Sequence, residues 1–185
     1  MTGSAGFDRN TAIAMVVGAL VVSGLVSRRY SPDPTHPRLR RWYKSLDKPN
    51  VTPPDAVFGA AWPVLLTGLG AGTYRLLRQP PAPSRNAAIA LAGLTLAMVT
   101  GYSKIAFGDR NLTRGTAESQ ALVGVAGAYV AVASASDRRA AALGAPPLFW
   151  SIFGSWLTAQ LRRRNPGLDS GARTAPGRVR LAHSD

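Results

Sequence analysis

The chain has 185 residues, no cysteine and a formal net charge of +13. Without cysteine it has no disulfide, no thiol nucleophile and no cysteine metal site. Its mean hydropathy of +0.02 resembles that of a soluble protein, but this value averages apolar runs with short segments rich in Arg, Pro and Asp. The arginines flank the apolar runs, and no nucleic-acid-binding module is recognisable, so we expect no nucleic-acid partner. Flanking arginines of this kind set membrane topology and attract anionic lipid headgroups.

Five apolar runs of 16 to 23 residues predict an all-α fold, namely a polytopic integral membrane protein built as a five-transmembrane-helix bundle. A run of about 20 apolar residues crosses a bilayer core of roughly 30 Å. We expect an N-terminal segment over 1–10, a membrane domain over 11–161 and a basic tail over 162–185 that is disordered beyond Gly167. The predicted helices cover residues 11–26, 55–77, 86–107, 118–136 and 140–161.

The first apolar run is expected to be a retained helix and not a cleaved signal peptide. Asp8 offsets the charge of Arg9, the one cation ahead of the run, so the run has no basic leader. No Ala-x-Ala cleavage site follows it.

The distribution of cations predicts the orientation in the membrane. Of the 22 Lys and Arg residues, 16 lie in the first loop, the third connection and the tail. The positive-inside rule then places the N-terminus outside and the C-terminus in the cytoplasm. An excess of 19 Arg over 3 Lys is typical of GC-rich coding and favours a bacterial cytoplasmic membrane.

The loop between the first two helices leads into the most informative segment, WYKSLDKPNVTPPDAVFGAAW, at residues 42–62. At the start of the second helix, Thr52 is expected to be the N-cap and Pro53 the first helical residue, with Asp55 facing the positive end of the helix dipole. Prolines exclude a continuous helix through the preceding loop, at positions 32, 34, 37 and 49.

This segment resembles the loop-and-second-helix signature of the TspO/MBR family, the translocator or tryptophan-rich sensory proteins. The signature reads W-Y-x-x-L-x-K-P-x-W-x-P-P-x-x-V-F-x-x-x-W, and every fixed position is matched except one tryptophan, which is Val51. Two weaker blocks follow. At 99–108 the family pattern N-x-x-W-x-x-x-F-F-G keeps its final Phe-Gly, and from Pro146 the pattern P-Y-x-x-W-x-x-F-A-x-x-L-N keeps four positions. The resemblance covers about residues 12–166.

The resemblance implies five helices around a cavity that the first loop caps and that binds porphyrins, synthetic aromatic ligands or, in animal members, sterols. By position, the implied cavity wall is Tyr43, Val51, Phe58, Trp62, Val99, Tyr102, Trp150 and Gly154. The residues expected to fix the loop and the helix start are Trp42, Lys48, Pro49, Thr52, Pro53, Pro54 and Asp55.

Some of these residues depart from the family pattern. Val51 and Tyr102 stand where the family has tryptophan, and Val99 stands where it has asparagine. Flat ligands are held largely by aromatic contact, and an amide supplies a hydrogen bond. We therefore expect a weaker affinity or a changed ligand preference.

Several aromatic and basic residues admit a second interpretation. Trp42 and Tyr43 suit an interfacial aromatic belt as well as ligand contact, and Arg40 with Arg41 suit topology as well as ligand propionates. The aromatics inside the apolar spans suit packing as well as a cavity wall, at Trp62, Trp150 and Phe153.

Catalytic and metal chemistry are not expected. His36 and His183 have no partner at metal-ligand spacing, and no covalently bound cofactor is implied. Asp55 and Glu118 lie at predicted helix starts, so the spans lack the midplane carboxylate typical of ion-coupled transporters.

The leading hypothesis is therefore a non-enzymatic membrane protein that binds a hydrophobic or tetrapyrrole-like ligand for sensing, sequestration or transport. Two alternatives are left open: a degenerate cavity in a protein that acts by helix packing or partner contact, and a small-solute transporter. A homodimer is also left open.

Overall fold

The computed structural model describes residues 5–173, and every regular element in that range is helical. Five of the helices have 20 or more residues and two are short. In chain order they are α1 Arg9–Arg28, α2 Pro37–Lys44, α3 Asp55–Leu77, α4 Pro83–Tyr102, α5 Leu112–Ser134, α6 Arg138–Arg164 and α7 Ser170–Arg173.

Three helical segments within residues 5–173 are long and apolar enough to cross a membrane. They are Arg9–Arg28, Asp55–Leu77 and the continuous stretch Pro83–Gly108, which joins α4 to a π-helical segment at Ser103–Gly108.

In α1, the Asp8 carboxylate caps the helix by accepting hydrogen bonds from the backbone N–H groups of Asn10 and Thr11, at 2.9 and 3.0 Å. The α1 helix therefore begins two residues before the predicted position.

One end of the bundle is held by Tyr129 of α5, which is 1% exposed. Its hydroxyl donates a hydrogen bond to the Ala140 carbonyl at 3.1 Å. The side chain fits because Gly72 and Gly144 lack side chains: a Cβ at position 144 would overlap the ring, and a Cβ at position 72 would lie only 2.7 Å from the hydroxyl oxygen. α3, α5 and α6 therefore meet closely at this end, while the cavity described below lies toward the other.

The α5 helix begins six residues earlier than the sequence predicts. Asn111 Oδ1 accepts from the backbone N–H of Arg114 at 2.9 Å, and the backbone N–H of Leu112 donates to Asp169 Oδ1, also at 2.9 Å. These contacts satisfy two of the free N–H groups of the first turn, so the helix starts at Leu112. Glu118 accordingly lies about two turns inside α5 and not at its start.

The predicted cap of the second long helix is wrong. α3 begins at Asp55, and Pro54 occupies the N-cap position with φ −54° and ψ 148°. Because this extended residue separates Thr52 and Pro53 from the helix, neither belongs to its first turn. The Thr52 hydroxyl is buried and has no hydrogen-bond partner among the described residues. Asp55 does lie in the first turn.

The structure departs from the prediction of disorder beyond Gly167, because residues 168–173 are ordered against the bundle. α6 extends to Arg164, and the short helix α7 follows at Ser170–Arg173. Asp169 is 0% exposed and accepts hydrogen bonds from Leu112 N, Thr113 Oγ1 and Gly171 N. A buried, fully hydrogen-bonded carboxylate fixes this segment against the start of α5. The remainder of the predicted tail, with His183, lies outside the described residues.

Candidate ligand-binding cavity

A cavity of about 890 Å³ lies between the long helices. α1 and α3 form one side, the end of α4 and parts of α5 and α6 form the other, and α2 with its neighbouring loop lies at one end. Ligand cavities in proteins usually measure about 300–1,000 Å³. The volume is thus sufficient for a large flat molecule.

Seven of the eight wall residues implied by the family pattern line this one cavity. They are Tyr43, Phe58, Trp62, Val99, Tyr102, Trp150 and Gly154.

Val51 is the exception, because it does not line the cavity and is 62% exposed. The backbone N–H of Thr52 donates to the Pro49 carbonyl at 2.9 Å, which closes a turn. Val51 lies at the surface of this turn. Replacement of tryptophan at this position therefore removes nothing from the cavity wall of this chain.

Aromatic rings join the elements around the cavity. The rings of Phe58 on α3 and Trp150 on α6 meet edge to face with centroids 5.6 Å apart. Phe107, in the π-helical segment, contacts Tyr43 at 5.6 Å and Tyr102 at 5.7 Å, both at nearly perpendicular angles. Such geometry favours aromatic pairs. The contacts connect α2 with α4 and α3 with α6.

Sequence reasoning did not assign Phe107 to the wall, although it belongs to the Phe-Gly pair that matches the family pattern. The structure places it in the cavity lining. The Phe-Gly match was therefore visible in the sequence, but it was interpreted only as the end of the third helix.

Small hydroxyl side chains form part of the α6 wall and were also missed. Ser151, Ser155 and Thr158 line the cavity with Gly154. Their spacing of three or four residues places them on one helical face. This periodicity was visible in the sequence, but hydroxyls are common in small-residue helices and gave no specific signal.

Two of the hydroxyls in the wall pair across helices. The Tyr102 and Thr158 hydroxyl oxygens lie 2.7 Å apart. Tyr102 replaces the family tryptophan and Thr158 replaces the first asparagine of the α6 pattern. The two departures therefore lie in contact and form a hydrogen bond with each other.

The end of the cavity near α2, which is its mouth, carries both positively and negatively charged side chains. Arg28, Asp33, Arg40 and Asp55 line it, while Arg41 is exposed and is not part of the lining. Cations at this mouth are balanced by carboxylates, and the deeper wall is aromatic, aliphatic or hydroxylic.

Lys48 helps to shape α2 and its loop. Its ammonium lies 3.6 Å from the centroid of the Tyr43 ring, as a cation–π contact requires. Burial lowers the pKa of Lys48, and the negative charge of Asp55 opposes that effect. Burial also raises the pKa of Tyr43. The pair thus places a cation beside a neutral phenol at the cavity mouth.

Trp42 is neither exposed at a membrane interface nor part of the cavity lining. It is 7% exposed, and its indole N–H donates to the Leu168 carbonyl at 3.2 Å. It packs in a cluster with Leu46, Leu157 and Leu161. Its role is to attach α2 to α6 and to the segment that follows it.

No group of three or more His, Cys, Asp or Glu side chains that could hold a metal ion occurs within residues 5–173. Long helices, three of them apolar enough to span a bilayer, surround a cavity with an aromatic wall and a mouth that carries two arginines and two aspartates. Together these features define a helical membrane protein with an internal cavity.

Comparison with known proteins agrees with this class. The model of the TspO/MBR family matches residues 12–164. The chain is 30% identical to the translocator protein of Homo sapiens over 135 residues, which is 72% of this chain and 80% of that protein. It is 29% identical to the translocator protein of Ovis aries over 136 residues, with the same coverage. The chain belongs to the TspO/MBR family and is an integral membrane protein. Its relatives are named as translocators, a name that denotes no enzyme.

Proposed function

We propose that this protein is a five-spanning membrane protein that binds a flat, hydrophobic ligand of the tetrapyrrole class in its central cavity, for sensing, sequestration or transport. The observation that carries the proposal is the convergence of seven family-pattern residues on one cavity of about 890 Å³.

The proposal of five spans rests on the lengths of α5 and α6 in addition to the three apolar segments. With 23 and 27 residues, these helices are about 34 and 40 Å long, which exceeds a bilayer core of roughly 30 Å. Residues 119–134 of α5 and 140–161 of α6 carry no charged side chain. In the proposed orientation, the N-terminus is outside and the C-terminus is cytoplasmic.

The chemistry of the cavity supports a ligand with an apolar body and an anionic edge. Phe58, Trp62 and Trp150 offer aromatic surface to a flat ring system. Arg28 and Arg40 at the mouth suit carboxylates, because guanidinium groups form charge-assisted hydrogen bonds with them. A tetrapyrrole would therefore bind with its ring in the cavity and its propionates at the mouth.

Protoporphyrin IX and its dimethyl ester test this arrangement, since they differ in the charge of the propionates. We expect the purified protein to bind the free acid more tightly, and Arg40→Gln to remove about tenfold of that preference. Arg41→Gln is the matched control, because Arg41 is exposed beside Arg40 and does not line the cavity. Equal binding of acid and ester by the unaltered protein would contradict the proposed orientation. If neither the acid nor the ester bound saturably, the result would favour the alternative of a degenerate cavity.

A further inference from the structure

Thr158 lies in the cavity wall and forms two hydrogen bonds, whose directions follow from its single hydroxyl proton. Its Oγ1 lies 2.8 Å from the Gly154 carbonyl and 2.7 Å from the Tyr102 hydroxyl. A threonine hydroxyl has one proton. A carbonyl accepts only, so the contact with Gly154 uses that proton in the back-bond that threonine commonly makes in helices.

Tyr102 must then be the donor in the contact between the two hydroxyls. With its proton directed to Thr158, its oxygen retains only lone pairs. Both residues line the cavity. The pair accordingly presents a hydrogen-bond acceptor to a ligand and no free donor.

Neighbouring hydroxyls in the lining are engaged in the same way. Ser119 donates to the Thr116 carbonyl at 2.9 Å, and Ser151 donates to the Pro147 carbonyl at 2.8 Å. Ser155 also lines the cavity, and its hydroxyl forms no hydrogen bond within residues 5–173, so Ser155→Ala removes a competing donor to the ligand.

We infer that the Tyr102–Thr158 pair selects ligands that donate a hydrogen bond from their buried edge, through a hydroxyl or an N–H group. A ligand whose buried edge carries only a carbonyl would leave its oxygen facing another acceptor. A buried acceptor without a partner is costly, and sites built in this way discriminate between analogues. This inference rests on the proposed function, because it requires a ligand in the cavity.

Pyrenemethanol and pyrenecarboxaldehyde form a suitable pair of probes. They share a flat apolar body and the same number of heavy atoms, but only the alcohol donates a hydrogen bond. Binding is measured by quenching of tryptophan fluorescence in purified protein that carries Ser155→Ala. We expect the alcohol to bind about threefold to tenfold more tightly than the aldehyde.

Thr158→Val provides the sharpest test, because valine keeps the shape of threonine and removes the acceptor for Tyr102. The phenolic proton becomes free to reach the ligand, so the preference should reverse toward the aldehyde. Tyr102→Phe should keep the preference for the alcohol, since it leaves the lone pairs of Thr158 available. A merely steric role would change both affinities together and leave their ratio constant.

The possible outcomes separate this inference from the proposed function. If Thr158→Val does not fold, Thr158→Ala gives the same reversal. Preference for the aldehyde in the reference protein, or an unchanged ratio in both folded Thr158 variants, would overturn the inference while the cavity still binds. Absence of saturable binding for both probes would instead contradict the proposed function itself.

Discussion

Asn165, at the end of α6, holds the backbone of Asp47 through two hydrogen bonds. Its Oδ1 accepts from the Asp47 N–H at 2.7 Å, and its Nδ2 donates to the Asp47 carbonyl at 2.9 Å. Nδ2 also donates to the Leu161 carbonyl at 2.8 Å. Asn165 is only 5% exposed, so α6 fixes the segment that joins two residues of the cavity lining, Tyr43 and Asp55.

Asn165→Ala should loosen that segment. Loss of two hydrogen bonds to the Asp47 backbone should cost about 1–3 kcal/mol locally, because hydrogen bonds contribute about 1 kcal/mol each and a buried group left unpaired adds a penalty. Hydrogen exchange at residues 37–48 should become faster, while exchange in α5 should remain unchanged.

Arg164→Ala is the control for Asn165→Ala. Arg164 also contacts Asp47, but through an ion pair at 3.6 Å whose side chains are 43% and 64% exposed. Exposed pairs contribute little, so this change should leave exchange in the segment nearly unaltered. Equal effects of the two changes would show that general disturbance of the α6 end, and not the amide, is responsible.

Asp169→Ala should lower the thermal stability. The carboxylate is buried and accepts from Leu112 N, Thr113 Oγ1 and Gly171 N, so its loss leaves the first N–H group of α5 without its acceptor, while the Asn111 cap is kept. Caps contribute about 1 kcal/mol and hydrogen bonds to charged groups somewhat more. The melting temperature should fall by several degrees.

Asp109→Ala serves as the matched change in the same corner, since the Asp109 carboxylate forms only an exposed ion pair with Lys104. Asp109→Ala should change the melting temperature only slightly.

A chain that ends at Arg164 should melt below one that ends at Arg173. Equal melting temperatures of those two chains would contradict a structural role for residues 165–173.

Gly144→Ala should destabilise the protein strongly, whereas Gly154→Ala should be tolerated. A Cβ at position 144 would overlap the Tyr129 ring, which is buried and hydrogen-bonded, while a Cβ at position 154 has no atom within 4 Å. Overpacking of this kind costs about 1–3 kcal/mol or more. The two variants add the same methyl group to the same helix, so their melting temperatures in detergent provide the comparison. Equal losses of stability would refute the close packing at Tyr129.

The turn between α5 and α6 should lose stability in acid. Burial opposes ionisation of Asp137, but hydrogen bonds from the backbone N–H groups of Ala140 and Arg139 and from Arg75 prevail and hold its pKa below the usual value of 3.8. The folded state thus favours the carboxylate, and this contribution is present above about pH 4 and is lost as pH falls through the folded-state pKa.

Asp137→Asn isolates that contribution, since asparagine still caps a helix but carries no charge for Arg75. The variant should melt a few degrees below the unaltered protein near pH 6, and the difference should shrink near pH 3. A difference that stays constant across this range would mean that ionisation of Asp137 does not stabilise the fold.

The parts that sequence reasoning located correctly follow helical periodicity. Phe58 and Trp62 lie four residues apart on α3, and Trp150 and Gly154 lie four apart on α6, so each pair shares one helical face. Those faces line the cavity. The family pattern identified the residues, and regular helix geometry was sufficient to bring them together.

The parts that were mispredicted depend on loop geometry or on contacts between distant residues. Val51 and Thr52 lie in a turn before an extended Pro54, where no period indicates which side chain faces inward. The start of α5 depends on Asp169, which lies 57 residues from Leu112. A local cap signal cannot reveal such a partner, so both the early start of α5 and the folded segment after α6 were missed.

Titration with protoporphyrin IX, followed by quenching of tryptophan fluorescence, tests the central claim most directly when two leucine variants are compared. Gly154→Leu fills open space in the cavity, while Gly124→Leu adds the same side chain on an exposed face of α5 that lines no part of it. A ligand in the cavity predicts saturable quenching, weakened at least about tenfold by Gly154→Leu and changed less than about twofold by Gly124→Leu. Quenching without saturation, or equal affinity in the two folded variants, would contradict the claim that this cavity binds the ligand.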